Sequence, residues 1–318
     1  MAILDTSRFH EAVIASQQKS MPAMDANEYF FPDFKQYSIK TSGATINTLV
    51  GGSGRPILLL HGYPETHIAW HRIANTLAQR YTVVLTDLRG YGDSSKPEGG
   101  KDHIQYSKRE MGKDQVEVMQ LLGFETFYAV GHDRGGRVLH QMMIDYPERI
   151  DAAVTLDIAP GNLMYAQTNE EFAKDYFWWF YLIQDAPLPE VMIGNDPSFY
   201  LQSHLVMQSK KVNTVTPQAY AEYLRCFHNP VSVHATCEDY RAVPTIDKEI
   251  QDAYGDQKIS VPLLALWGSE GTVGRLFDVL ALWRQTVTTV TGGPLPCGHL
   301  VPEEAPEEVL YQLYAFFG

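Results

Sequence analysis

From Tyr37 onward the apolar residues fall into short runs divided by turn residues. Ala44–Val50 alternates apolar and polar positions, the pattern of a strand with one wet face. Gly51-Gly52-Ser53-Gly54 reads as a turn, and Pro56-Ile57-Leu58-Leu59-Leu60 as a strand buried on both faces. The loop His61-Gly62-Tyr63-Pro64-Glu65 follows, then helical spacing over His67–Ala78 and a second buried strand at Tyr81–Leu85. Lys108–Leu122 is a helix, Phe127–Val130 a strand, Arg134–Tyr146 a helix closed by Pro147, and Ala152–Leu156 a strand. Apolar strands alternating with helices predict an α/β chain with a mostly parallel central sheet, covered by helices on both faces.

The alternation breaks after Pro160. Residues 161–244 carry helical patterns, aromatics and prolines, with helices near Glu170–Ile183, Ser198–Gln208 and Pro217–Phe227. Strands return at Val261–Trp267 and Thr286–Thr291, and Pro306–Phe317 is a final helix. The division expected is an extension over 1–30, with weak helical spacing from Thr6 to Gln17, a core made of 31–160 and 245–318, and a helical cap over 161–244. Such a cap lies over the carboxyl ends of the strands, where ligands bind in open α/β sheets.

Composition narrows the partners. The 318 residues carry a net charge of −13, which argues against nucleic acid or an anionic membrane. An anionic substrate therefore needs a local cationic pocket. Three cysteines without close spacing make neither a disulfide framework nor a zinc site, so the expected setting is a reducing cytoplasm. No apolar stretch reaches the ~20 residues of a membrane span, and the first residues show no apolar run of signal-peptide length. The reading is a soluble cytoplasmic protein acting on a small molecule; whether it is a homodimer the residues leave open.

The candidate chemistry centres on Gly131-His132-Asp133-Arg134-Gly135-Gly136. Strand, glycine-flanked turn and helix form the setting of a nucleophile elbow, but an aspartate stands where a serine is usual. A carboxylate is already ionised at neutral pH and can displace a leaving group from saturated carbon, giving an ester. Water must then cleave that ester, and His299, in Cys297-Gly298-His299 after the last strand, is the candidate base. Two carboxylates are candidates to orient it: Asp157 at a strand end, favoured, and Glu270 in Trp267-Gly268-Ser269-Glu270-Gly271. Arg134 and Arg137 flank the nucleophile and suit a substrate carboxylate, Arg134 the stronger case by adjacency; the competing expectation is an acid on a neighbouring element. The backbone N–H groups of Tyr63 and Arg134 stand where an oxyanion hole forms. In the cap, the run Tyr176–Tyr181 and Tyr240 offer indole and phenol donors for a departing anion, though most such aromatics serve packing.

Taken together, HGYPETHIAWHRIA, DLRGYGDSS, GHDRGGRV, LDIAP, APLPE, CEDYRA, PLLALWG and CGHLVPEEAP resemble the fluoroacetate and haloacetate dehalogenase branch of the α/β-hydrolases, from about residue 35 to the end. Epoxide hydrolases are similar in pattern and share the aspartate elbow. The resemblance implies Asp133 as nucleophile, His299 as water-activating base, Asp157 as its partner, Arg134 and Arg137 on the substrate carboxylate, and Tyr240 on the halogen. It implies no cofactor and no metal. It also implies a His-Trp pair in the cap, and here that pair reads Trp178-Trp179, which favours chloride and bromide over fluoride as leaving group. The activity implied is hydrolytic dehalogenation of a small 2-haloacid; the alternatives are an epoxide hydrolase and a binding protein that kept this fold without turnover.

Overall fold

The computed structural model describes residues 25–318, so the stretch Thr6–Gln17 lies outside the described residues. Eight strands, β1 (Lys35–Lys40), β2 (Thr45–Gly52), β3 (Arg55–Leu60), β4 (Tyr81–Thr86), β5 (Phe127–His132), β6 (Ile150–Leu156), β7 (Leu263–Gly268) and β8 (Val290–Leu295), form one sheet. Their order is β1-β2-β4-β3-β5-β6-β7-β8. β2 pairs antiparallel with both β1 and β4, and every other pairing is parallel. Ile57–Leu60 of β3 and Val83–Leu85 of β4 are fully buried, as continuous apolar runs require in a sheet covered on both faces. The chain steps from β3 to β4 on one side, then returns to lay β5 on the other. That reversal opens a crevice at the carboxyl ends of β3 and β5.

Helix α1 (Lys108–Leu121) packs against α2 (Asp133–Asp145), which is buried from Asp133 through Met143. Between β6 and β7 the chain runs through helices, among them α3 (Phe177–Tyr181), α4 (Pro197–Gln208), α5 (Pro217–Phe227) and α6 (Pro230–Ala242). Helix α7 (Pro306–Phe317) ends the chain. Among the described residues no helix is long and apolar enough to cross a membrane, and all three cysteines are buried and free.

The sequence pattern misplaces several borders, each for a tertiary reason. His67–Ala78 is not one helix but a 3-10 turn, His67–Trp70, and a short helix, Ala74–Leu77. The His67 backbone N–H and ring are both held by Asp87 Oδ1, at 2.9 and 2.8 Å, which ties this segment to the end of β4. The expected helix Glu170–Ile183 divides at Tyr176 (φ −116°, ψ 38°), and the freed ring turns toward His299. Helix α6 carries no strong periodicity, yet Asn229-Pro230 marks its start: the Asn229 side chain accepts from Val231 N at 3.0 Å. The β-branched run from Thr286 begins with the end of a helix (Val279–Thr286), and the last strand starts only at Val290. β8 then continues through two glycines and a proline. A side chain at Gly292 (φ 139°) would sit 1.8 Å from Ala265 O, so glycine alone lets this edge strand approach β7.

Candidate active site

The elbow is built by what its neighbours lack. Asp133 has φ 43°, a left-handed conformation that an aspartate adopts only under constraint. A Cβ on Gly131 would stand 2.6 Å from Gly135 O, and one on Gly135 would stand 2.3 Å from Leu60 O. The bare backbone at both positions lets α2 start against the end of β3, where Gly135 N donates to His61 O at 2.9 Å. Gly62 serves the same purpose across the crevice, since its Cβ would meet Asp133 Cβ at 2.7 Å. The result is a carboxylate fixed at the mouth of the crevice, with Tyr63 N donating to its Oδ2 at 3.1 Å.

The loop after β8 brings His299 to the same place. Its Nδ1 lies 2.5 Å from Asp157 Oδ2, and its Nε2 lies 4.0 Å from Asp133 Oδ1. Asp157 sits at the end of β6 with φ 51°, and its Oδ1 accepts from Gly268 N at 2.9 Å. Of the two carboxylates the sequence offers, the histidine meets Asp157. Glu270 is exposed, and only its backbone N–H reaches this region, donating to Cys297 O at 3.1 Å.

Charge around Asp133 is arranged for an anion. Burial pushes its carboxyl pKa up, but His299, His132, Arg134 and Arg137 outweigh burial and hold it below the ordinary carboxylate value. The two arginines do not have the same surroundings. Arg134 directs Nε and Nη2 onto Asp239 of α6, at 2.7 Å each, and Nη2 also onto the Asp239 carbonyl. Tyr91 Oη donates to the same carboxylate at 2.6 Å, and Lys108 pairs with it. Arg134 thus takes the helix-arginine fate weighed against it, an acid on a neighbouring element, which reverses the ranking expected from adjacency.

Arg137 has no such partner. It is 7% exposed and makes no ion pair with an acid among the described residues. Its contacts are weak: Nη1 to Ala159 O at 3.5 Å, Nη2 to Met164 Sδ at 3.6 Å, and the face of Trp179 at 4.6 Å. Burial, then the like charge of Arg134, lowers its pKa. A buried guanidinium with most donors unused is a cost to the free protein that an incoming anion removes.

The cap closes over these groups with aromatics. Trp179 Nε1 is buried and has no acceptor among the described residues. Trp178 packs between Tyr176 (ring centroids 4.9 Å) and His204 (4.5 Å). The Tyr240 ring lies under Arg134 at 4.2 Å and edge-on to Tyr63. Burial and the Asp133 charge raise the Tyr240 phenol pKa; burial, Asp157 and Asp133 do the same at Tyr176. Tyr181 instead points its hydroxyl at Pro189 O, 3.2 Å away.

His204 of α4 is a pocket residue that sequence reasoning missed. It is fully buried, its ring stands on Tyr63 and Trp178, and burial first, then His299, lower its pKa to about 3. The Gln208 amide, one turn on, meets His204 Nε2, and His204 Nδ1 has no partner among the described residues. Nothing local in Tyr200-Leu201-Gln202-Ser203-His204 marks this, because the side of α4 that faces the pocket is set by long-range packing.

Comparison with known proteins places the chain in a family. Residues 55–306 match the alpha/beta hydrolase fold family. A fluoroacetate dehalogenase from Burkholderia sp. is 39% identical over 90% of this chain and 94% of its own length. A soluble epoxide hydrolase from Corynebacterium sp. (strain C12) is 30% identical over 87% of this chain and 94% of its own. A solved structure of a putative alpha/beta hydrolase from Nostoc sp. PCC 7120 superposes with a TM-score of 0.89 at 53% identity, covering 90% of this chain and 99% of that one. The chain belongs to the α/β-hydrolase family, on a branch where a fluoroacetate dehalogenase and soluble epoxide hydrolases are near relatives.

Proposed function

We propose that the protein hydrolyses the carbon–halogen bond of small 2-haloacids such as haloacetate. In the first step an Asp133 carboxylate oxygen attacks the halogen-bearing carbon, the carbon–halogen bond breaks, and halide leaves with the bonding electrons. The Asp133 oxygen held by Tyr63 N becomes the ester carbonyl oxygen, already placed against an N–H donor. In the second step water attacks the Asp133 carbonyl carbon while His299 Nε2 takes its proton, and Asp157 balances the imidazolium. The 2-hydroxy acid departs with that proton, the second proton of the water is released to solvent, and the carboxylate returns with one oxygen from water.

The observation that carries the substrate class is Arg137: a buried guanidinium beside the carboxylate elbow that meets no acid among the described residues. A substrate carboxylate supplies the missing charge and the fork geometry. The unpartnered Trp179 Nε1 adjoins the same guanidinium and offers a donor to the departing halide. Gly161 gives a separate check. A Cβ there would meet Arg137 Nη1 at 2.7 Å and no backbone atom, so Gly161→Ala displaces only the guanidinium. That variant is expected to raise KM for chloroacetate about tenfold and to shift stability by under ~0.5 kcal/mol. Steady-state kinetics with a melting curve decide it, and an unchanged KM removes Arg137 from substrate binding.

One observation favours an epoxide hydrolase as a second reading. Tyr176 and Tyr240 both feel the Asp133 charge, and two phenols facing the nucleophile suit an opening epoxide oxygen. An epoxide gives the unpartnered Arg137 nothing to bind. Halide release from fluoro-, chloro- and bromoacetate, run beside diol formation from a small neutral epoxide, separates the two. Bromide and chloride are expected to be released, with fluoride slower by roughly 10- to 100-fold, about one to two hydrogen bonds' worth of help, because Trp178 stands where the resemblance implies a histidine. Diol without halide overturns the dehalogenase reading.

A further inference from the structure

Behind the elbow lies a group of acids that the proposed reaction does not use. Glu65, from the loop after β3, accepts from Gly62 N at 3.2 Å and meets His132 Nδ1 at 3.1 Å, both through Oε2. His132 is the residue before Asp133, and its Nε2 lies 2.7 Å from the carbonyl oxygen of His299. Glu303, from the turn Val301–Glu304, faces Glu65 in the same buried space, beside Tyr223 of α5. No N–H among the described residues reaches Glu65 Oε1 or either Glu303 oxygen, and the O–H beside Glu303 is the Tyr223 phenol. His71 stands 3.9 Å from Glu303, but its near nitrogen is turned to Ile68 O.

Two carboxylates cannot both stay ionised in contact inside a protein, whereas one proton between them makes an O–H···O bond. The hydrogen bonds decide which acid carries it. Glu65 has a backbone N–H and an imidazole on its other oxygen, so it is the anion; Glu303, with only the neutral Tyr223 phenol beside it, is the acid. We propose that Glu65 and Glu303 share one proton as a buried acid–carboxylate pair, and that this pair keeps His132 a cation which positions His299 and favours negative charge on Asp133. All three are positioning residues, since none touches substrate.

The consequence for turnover rests on the reading of Asp133 as nucleophile. A cation beside Asp133 favours its charged forms: the free carboxylate and the anionic tetrahedral intermediate. It does not favour the neutral ester between them, so its loss slows ester cleavage more than ester formation. Other titratable groups lie near as well: Asp133 from α2 acts on His132, the His299 ring from the loop after β8 stands 4.9 Å from it, His61 lies by Glu65, and Arg72 lies nearer Glu303. Burial pushes the His132 pKa down, but Glu65 outweighs burial and raises it to about 9. The stability this pair contributes is therefore present in full below the ordinary histidine value, ~6.5, and is lost as pH rises through about 9.

The test has two arms. Infrared difference spectra of the whole protein at neutral pH should contain the C=O stretch of a protonated carboxylic acid, absent in Glu303→Gln. Absence of such a band in the wild type overturns the shared proton, whatever the enzyme's substrate. In the second arm, Glu65→Gln is quenched during turnover of bromoacetate and weighed intact. The covalent adduct on the elbow peptide should accumulate several-fold over wild type, and the fall in melting temperature between pH ~6.5 and 9 should flatten. Glu303→Leu should slow ester cleavage roughly tenfold, and Glu303→Gln, whose amide donates to Glu65 as the acid does, should recover most of it. Equal slowing of both steps, with no adduct gained, overturns the positioning role. An adduct missing from the wild type too strikes instead at Asp133 as nucleophile and leaves the infrared result standing.

Discussion

Asp133→Asn will release no halide from chloroacetate above a background at least 10⁴-fold below wild type, the scale on which removal of a nucleophile is felt. An amide keeps the shape of the side chain, so the elbow, the Tyr63 N–H contact and the cap remain. What it loses is the charge that makes an attacking oxygen. The substitution also leaves His299 and Arg137 without the anion between them, so the free protein should bind halide or acetate more tightly than wild type. Wild type turned over once in heavy-oxygen water should carry label in the elbow peptide, because cleavage at the Asp133 carbonyl exchanges one of its oxygens. Label found only in the hydroxy acid would mean that His299 activates water for direct attack on the substrate. A short wait for a slow recovery is needed in the asparagine variant, since an activated water beside an amide can regenerate aspartate.

Much of this site is legible in the sequence because its geometry is local. The elbow follows from glycines at fixed offsets from Asp133: backbone stands within 2.6 Å of where a Cβ on Gly131 or Gly135 would lie. Asp157 and His299 were findable because a parallel sheet delivers every strand's end to one edge. What sequence alone could not rank were groups whose partners come from far along the chain. Arg134 and Arg137 are three residues apart and chemically identical; only the arrival of Asp239, 105 positions after Arg134, makes one a structural ion pair and leaves the other without an acid among the described residues. His204 and the Glu65–Glu303 contact are illegible for the same reason. Tyr176 shows the converse: a good helical pattern yields where tertiary packing has another use for the residue, in this case beside His299.

That asymmetry between the arginines makes the second prediction a paired one. Arg137→Met should lower kcat/KM for haloacetates on the order of 10²–10³-fold, the loss expected when a buried, charge-assisted carboxylate contact disappears. The same substitution should stabilise the free protein, by roughly 1–3 kcal/mol, because it replaces an unneutralised buried cation with a side chain that packs on Trp179 and Met164 as the arginine stem does. The two effects have one cause. A cationic pocket kept empty of protein acids is unfavourable until substrate enters, and the substrate carboxylate then contributes the charge that Asp239 contributes to Arg134. Arg134→Met is the control. It takes the guanidinium from a buried carboxylate that keeps only Lys108 and Tyr91, and should destabilise by about 3 kcal/mol, the low end of the scale for breaking a buried pair. Chemical denaturation of the two variants, each with and without chloroacetate, reads both halves. If Arg137→Met is less stable than wild type, or retains its KM for chloroacetate, the guanidinium is a structural group and the anionic substrate class goes with it.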